Sequence, residues 1–277
     1  IFYYAEVELQ EVCKKQKIKF FTIHKESLHP PIYRKYLKWI YTNTSNNFYG
    51  DEIFLYNKFE KKLLVESRIC KSSQIKVVGM PRLNQSYKIK KFDEDNKKYK
   101  NNLIIYQSNE KYLPYFKNKY FKKPNHTLFD RKLPFSLENT EIECVKILKK
   151  IANKKNIKIT IKTRTGQKQD KFREAYKGIN IISGGAGHRL LKSNQIVIAF
   201  NSTIIFEALA AGKIVFTPNF IKNYKKNSSY FFNFSNTTLA DKNKKSFEKN
   251  IIKIIENKNY RKKYQENKKI KRLLKIY

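Results

Sequence analysis

The sequence predicts an α/β protein of two domains, each built on a parallel sheet, and three observations carry that prediction. Short, continuous apolar runs alternate with segments of helical spacing along most of the chain, as in strands buried on both faces beneath crossover helices. The alternation breaks over residues 85–102, which are polar, charged and without periodicity, as an interdomain linker would be. Residues 195–218 then read as strand, tight turn, helix and strand, one complete repeat of such an architecture.

In the first part, residues 5–16 have helical spacing and 18–24 read as a strand. Pro31 opens an aromatic-rich helix running to Tyr41, because proline at a first helical position lacks only an N–H that would be unpaired anyway. A strand over 51–56, a helix over 58–67 and a strand over 75–78 follow, the last running into Gly79-Met80-Pro81-Arg82. The second part opens with a strand over 103–106 and a long loop holding Pro114, Pro124, His126 and Pro134. Asn139 caps a helix reaching about Ala152. Strands over 157–162 and 179–182 come next, the latter entering the glycine-rich run Ser183-Gly184-Gly185-Ala186-Gly187-His188-Arg189. Residues 196–200 form a strand, and Asn201, Ser202 and Thr203 are residue types that cap helices. Ile205, Ala208 and Leu209 keep helical spacing until Gly212, and Pro218 ends the strand over 213–217. Two basic amphipathic helices, 245–256 and 260–276, close the chain. The division is therefore 1–84, a linker over 85–102, 103–240, and the basic helices 241–277.

Composition excludes several classes. At 277 residues the chain can bury two cores, and the formal net charge of +37 would ordinarily suggest nucleic acid or an anionic membrane. The excess is almost all lysine, however, spread evenly beside abundant Asn and Ile, the residues of A/T-rich codons, while arginine is sparse. Nucleic acid is therefore not expected as a partner, whereas attraction to anionic headgroups or to sugar nucleotides is. Cys13, Cys70 and Cys144 are far apart and form neither a disulfide framework nor a metal finger, which fits a reducing cytoplasm. No apolar run approaches the ~18 residues that span a bilayer. The chain starts without Met inside a helical pattern, so a protein truncated at its N-terminus is expected.

Six of the eight glycines fall between Gly166 and Gly212, marking backbone that turns sharply or approaches a ligand closely. The turn at Asn201-Ser202-Thr203 offers amides and hydroxyls at a helix start on the carboxyl edge of a sheet, where phosphate binds in open α/β folds. Glu207, one helical turn deeper, is placed to hold ribose hydroxyls. An ordinary capped helix in an α/β core has the same pattern. Lys162 and Arg164 follow a strand and would project from the same edge. Gly185 and His188 suit phosphate, although the run lacks the third glycine of a dinucleotide fingerprint. Asp93-Glu94-Asp95 is a solvated charge run rather than a metal motif.

Three pieces carry a resemblance: Asp51-Glu52-Ile53-Phe54-Leu55-Tyr56, Lys76-Val77-Val78-Gly79-Met80-Pro81-Arg82, and 193–218 with its Asn201-Ser202-Thr203, Glu207-Ala208 and Gly212 pattern. In that order they resemble GT-B-type glycosyltransferases of bacterial surface and capsular polysaccharide synthesis. That group shades into the glycerophosphotransferases and the UDP-GlcNAc 2-epimerase superfamily. Met80 stands where such proteins commonly carry Asn, and Asn84 where they carry Asp. The first half of their N-terminal domain has no counterpart here.

The resemblance implies two Rossmann-like domains with parallel sheets, the first incomplete, working on the cytoplasmic side or peripherally on the inner membrane face. It implies transfer of a sugar from a nucleotide-sugar donor to a glycan or lipid-linked acceptor, with no cofactor and no metal. Asn201, Ser202 and Thr203 would meet the diphosphate and Glu207 the ribose, with Lys162 and Arg164 neutralising the leaving group. Gly79 would turn the chain out of the first sheet at the domain junction, and Arg82 would either face the cleft or serve structure alone. Glu26, with His24 as substitute, would deprotonate the acceptor hydroxyl, unless the base lies upstream of Ile1. Two readings stand beside this one: a UDP-sugar 2-epimerase using the same cleft, and a non-enzymatic basic protein binding nucleic acid or membrane.

Overall fold

A computed structural model describes residues 4–24, 37–38, 41–42, 47–96, 102–106, 137–163, 173–185, 187–200, 202–221, 234, 237–265 and 269–270. The loop expected over 107–136 and most of the helix from Pro31 lie outside them, as do Glu26, Arg164 and Asn201.

The first part begins with helix α1 (Tyr4–Lys15) and places β1 (Phe21–Ile23), β2 (Glu52–Leu55) and β3 (Ile75–Val77) in one parallel sheet of order β1-β2-β3. Ile23 pairs with Phe54 and Leu55 with Val77. Along β2, Ile53 and Leu55 are buried while Glu52 and Phe54 are half-buried, so the strand's period of two sends one face to a core with Leu63, Leu64, Tyr41 and Phe48. Leu63 and Leu64 come from helix α2 (Lys58–Glu66), whose first turn is capped by Asn57 Oδ1 accepting from the Glu60 amide at 2.9 Å.

The second sheet is also parallel. Strands β4 (Leu103–Tyr106), β5 (Ile159–Thr163), β6 (Asn180–Ser183), β7 (Ile196–Ala199) and β8 (Ile214–Phe216) lie in the order β6-β5-β4-β7-β8. The chain therefore builds outward from β4 to β6, then returns to β4's other side for β7 and β8. The C-terminal ends of β4 and β7 form the point where the winding reverses. Both central strands are buried along their whole length, as their unbroken apolar runs foretold. Alternate residues go to opposite faces. Leu103, Ile105, Ile196 and Ile198 meet α4 (Leu137–Lys155) and α7 (Lys244–Glu256), while Ile104, Val197 and Ala199 meet α6 (Ile204–Ala210). The one-turn helix α5 (Arg173–Tyr176) precedes β6, and α8 (Lys258–Gln265) follows α7.

The architecture is α/β with two parallel sheets, in line with two Rossmann-like domains of GT-B type. Three local expectations differ. The segment expected as an irregular linker is mostly helix α3 (Arg82–Asn96), with Leu83, Ser86 and Ile89 buried in the core that α6 caps. Its apolar stripe is one residue wide, which is why the segment looks aperiodic. Asn139 does not cap α4 but lies inside its first turn, since the helix begins at Leu137. Helix α6 is only seven residues long, and its N-cap Thr203 has helical backbone angles (φ −63°, ψ −21°) and no side-chain capping bond.

Candidate functional site

All five strands of the second sheet are parallel, so their C-terminal ends share one edge, and the register Tyr106–Ala199, Tyr106–Lys162 and Thr163–Ser183 aligns them. The turns that leave β6 and β7 at this edge carry the residues of interest. After β6, Gly184 and Gly185 both adopt φ +68°, a left-handed conformation costly for residues with a Cβ. This double reversal returns the chain to Gly187, which begins a 3-10 turn (Gly187–Lys192). Tyr106, the last residue of β4, donates its hydroxyl to the Gly187 carbonyl at 2.7 Å. A Cβ at Gly187 would stand 3.2 Å from Cε1 of Tyr106 and 3.7 Å from Cδ1 of Ile204. The glycine-rich turn is thus pressed onto both the end of β4 and the start of α6.

Ser202 and Thr203 stand at that start, both half-buried. The Ser202 hydroxyl accepts only a long 3.5 Å contact from the Ile204 amide. The Ser202 and Thr203 carbonyls accept from Ile205 and Phe206 at 3.1 Å, so the helix opens with tight i to i+3 bonds. Among the described residues Thr203 makes no side-chain capping bond, and Ser202 makes this long one.

Glu207 lies on α6 with its side chain 4% exposed, and its Oε1 is 3.8 Å from Nη1 of Arg82. Burial raises its carboxyl above the usual range, and the guanidinium partly opposes that shift. Arg82 is half-exposed at the start of α3, delivered there because Gly79 (φ +77°) turns the chain out of β3 and Met80 enters the core beside α6. Burial, then the Glu207 charge, pushes the Tyr106 phenol up, so it remains a donor.

The expected residues fall into three groups. His188, Gly185, Ser202, Thr203 and Glu207 share the carboxyl edge of the second sheet, and Arg82 reaches it from the junction. Lys162 is on the same edge but is buried, its Nζ donating to the Thr163 carbonyl at 2.6 Å. It therefore does not project as expected. An ammonium enclosed within a parallel sheet needs an acceptor, and the strand end supplies one. His24 lies elsewhere, at the carboxyl end of β1 in the first sheet, with its amide bonded to the Phe54 carbonyl at 2.9 Å. Sequence reasoning missed Tyr106, because its role depends on a partner 81 positions away. Among the described residues, no group of three or more His, Cys, Asp or Glu could hold a metal ion, and no helix is long and apolar enough to cross a membrane.

No protein-family profile matches the chain, and no curated protein sequence does. Solved structures match it well. The UDP-GlcNAc 2-epimerase of Neisseria meningitidis, solved bound to UDP-GlcNAc, superposes with a TM-score of 0.50 at 14% identity, over 93% of this chain and 66% of that one. A Listeria monocytogenes protein provisionally assigned as a UDP-N-acetylglucosamine 2-epimerase gives 0.54 at 14% identity, over 92% and 64%. A glycosyltransferase of Rickettsia africae gives 0.45 at 14% identity, over 98% and 75%. The chain thus spans just under two thirds of the two epimerase structures it matches. With the two parallel sheets, the likeness to the first two of these structures shows a GT-B-like fold for the chain.

Proposed function

We propose that the chain is the greater part of a glycosyltransferase that moves a sugar from a nucleotide-activated donor to a surface-glycan or lipid-linked acceptor. One observation carries this reading. At the reversal point between β4 and β7, the half-buried Ser202 and Thr203, a glycine-rich turn and a buried carboxylate paired with an arginine converge on one sheet edge. Such a crevice is where open α/β sheets bind nucleotides. Ser202, Thr203 and nearby amides suit the diphosphate, Glu207 the ribose, and Arg82 and His188 the developing negative charge. Fixed cations then do the work a metal would do elsewhere, so neither metal nor cofactor is required. The net positive charge of +37 suits a peripheral position on an anionic inner membrane face.

A second reading has its own support. The two structures described above that superpose with TM-scores of 0.50 and 0.54 bear the 2-epimerase name. Incubation with UDP-GlcNAc and with other UDP- and CDP-sugars, with and without a glycan acceptor, separates the two. Transfer predicts nucleoside diphosphate release that the acceptor accelerates. Epimerisation predicts a second sugar nucleotide formed from the donor alone, with no dependence on acceptor. Neither product with any donor would contradict both readings.

A further inference from the structure

Helices α4 and α7 lie side by side on one face of the second sheet, and Phe247, Ile251 and Ile254 of α7 enter the same core as Val145 and Leu148 of α4. Ion pairs stitch the seam between them. Lys244 meets Glu143 at 2.6 Å, Lys150 meets Glu248 at 4.0 Å and Lys155 meets Glu256 at 2.6 Å, so the two helices run in the same direction. Glu143 also accepts from Lys146 at 3.1 Å. Lysine is common throughout this chain, but here the acids are sorted: Glu143, Glu248 and Glu256 are all taken up by the seam. The outer side is left cationic. Lys245, Lys249 and Lys253 are exposed at i, i+4 and i+8 on α7, and Lys258, Lys262 and Lys263 are exposed on α8, whose eight residues include no acid. Among the described residues, Lys245, Lys249 and Lys258 have no acidic partner, and Lys253 rests over the Tyr260 ring at 5.3 Å. Arg261 donates to the Ile254 and Ile255 carbonyls at 3.1 and 2.7 Å, which clamps α8 onto the end of α7. Like charges one turn apart weaken a helix, and no described acid offsets this row.

We propose that this lysine face of α7 and α8 is the surface by which the chain docks on an anionic lipid bilayer. The proposal deepens the reading of the chain as a peripheral enzyme of the inner membrane face, and rests on it. Helix sides present the ammoniums in rows rather than in a pocket. Lysines arrayed near such a membrane each add attraction, and lipid phosphates can move to meet them. Nucleic acid fits the face less well. Duplex readers insert an element into a groove and single-strand binders stack bases on aromatic rings. Here Arg261 is turned to backbone carbonyls, and Tyr260 and Tyr264 are half-buried against each other with ring centroids 5.3 Å apart. Helix α7 starts at the carboxyl edge of the sheet, since Asn219, just past β8, donates its amide to the Asp241 carbonyl at 2.7 Å. Docking through α7 therefore holds the donor edge beside the membrane surface, where a lipid-linked acceptor lies.

The test is co-sedimentation of the full chain with vesicles of phosphatidylcholine alone and of phosphatidylcholine mixed with phosphatidylglycerol. Two variants lose equal charge. One is Lys245→Gln/Lys249→Gln/Lys253→Gln/Lys258→Gln on the face, and the other is Lys15→Gln/Lys17→Gln/Lys19→Gln/Lys58→Gln at exposed positions of the first part. Glutamine matches lysine in helix propensity, so both variants should melt with the parent. The parent should bind the mixed vesicles and not phosphatidylcholine alone, and added salt should release it. The face variant should lose roughly a hundredfold or more in partition to the mixed vesicles. The control should lose less than about fivefold, because screening confines each charge's effect to its own neighbourhood. UDP affinity should be the same in all three. Equal losses in the two variants, or a parent that ignores the mixed vesicles, overturn the proposal. A parent that prefers a DNA duplex to the vesicles through the same four lysines overturns it too. A parent that binds the vesicles through these lysines but binds no UDP leaves the docking face standing and contradicts the donor-site reading.

Discussion

Glu207 sets stability against binding within one side chain. Its carboxyl is held above the ordinary range because burial outweighs the help of Arg82, so the folded protein keeps that proton more tightly than the unfolded chain does. The group therefore favours folding in acid, and the contribution is lost as pH rises from the ordinary carboxylate range through the raised folded value. Glu207→Gln removes that dependence. Its melting temperature relative to the parent should improve between pH 4 and pH 7, because half-exposed Arg82 is cheaply solvated once its partner is neutral. Parallel melting curves at both pH values would refute the assignment. The same variant should weaken UDP binding more than pyrophosphate binding, since only UDP carries a ribose. Tyr106→Phe tests the neighbouring tie. It deletes one hydrogen bond to Gly187, so chemical denaturation should show a loss of about 0.5–1.5 kcal/mol.

At the scale of elements, the contact between α3 and α6 decides whether Arg82 reaches the site. Ser86 is fully buried in α3, and its hydroxyl has no hydrogen-bond partner among the described residues. Gly212, with φ +70° after α6, lies under Lys90 of the same helix, where a Cβ would stand 3.2 Å from Lys90 Cγ. Small residues thus let α3 lie close. Ser86→Ala should leave the packing unchanged and raise stability by on the order of 1 kcal/mol, because it removes an unpaired buried hydroxyl. Ser86→Leu should cost about 1–3 kcal/mol by overpacking and also weaken nucleotide binding as Arg82 moves away. Urea denaturation with UDP titration checks both, and a Leu variant with parental affinity would separate the helix from the site. This contact also marks where the sequence is hard to read. Strand β7, the turn and α6 were legible because contiguous residues define them, whereas α3 buries too narrow a stripe for its period to show.

For the whole molecule, legibility followed the distance over which information is carried. The parallel sheets announced themselves in local apolar runs, and the start of α6 in the residue types that precede it. The pairs Tyr106–Gly187, Arg82–Glu207 and Tyr41–Glu60 join residues that only the fold brings together, so no spacing rule could find them. Lys162 failed as an expectation for a related reason: its type suggested a free cation, and its position in the sheet gave it a carbonyl to hold. The first two of these pairs shape the edge at β4 and β7 that is proposed to bind the diphosphate of a sugar nucleotide. Calorimetric titration of the parent and of the Ser202→Ala/Thr203→Ala variant with UDP and with pyrophosphate tests it most directly. Because Thr203 makes no side-chain cap of α6 and Ser202 only a 3.5 Å one, the variant should melt close to the parent. It should bind both ligands more weakly, by roughly 1.5–3 kcal/mol for each hydroxyl that contacted a charged oxygen, less what the remaining amides retain. Unchanged affinity for both ligands in a folded variant would place the nucleotide elsewhere and contradict the account.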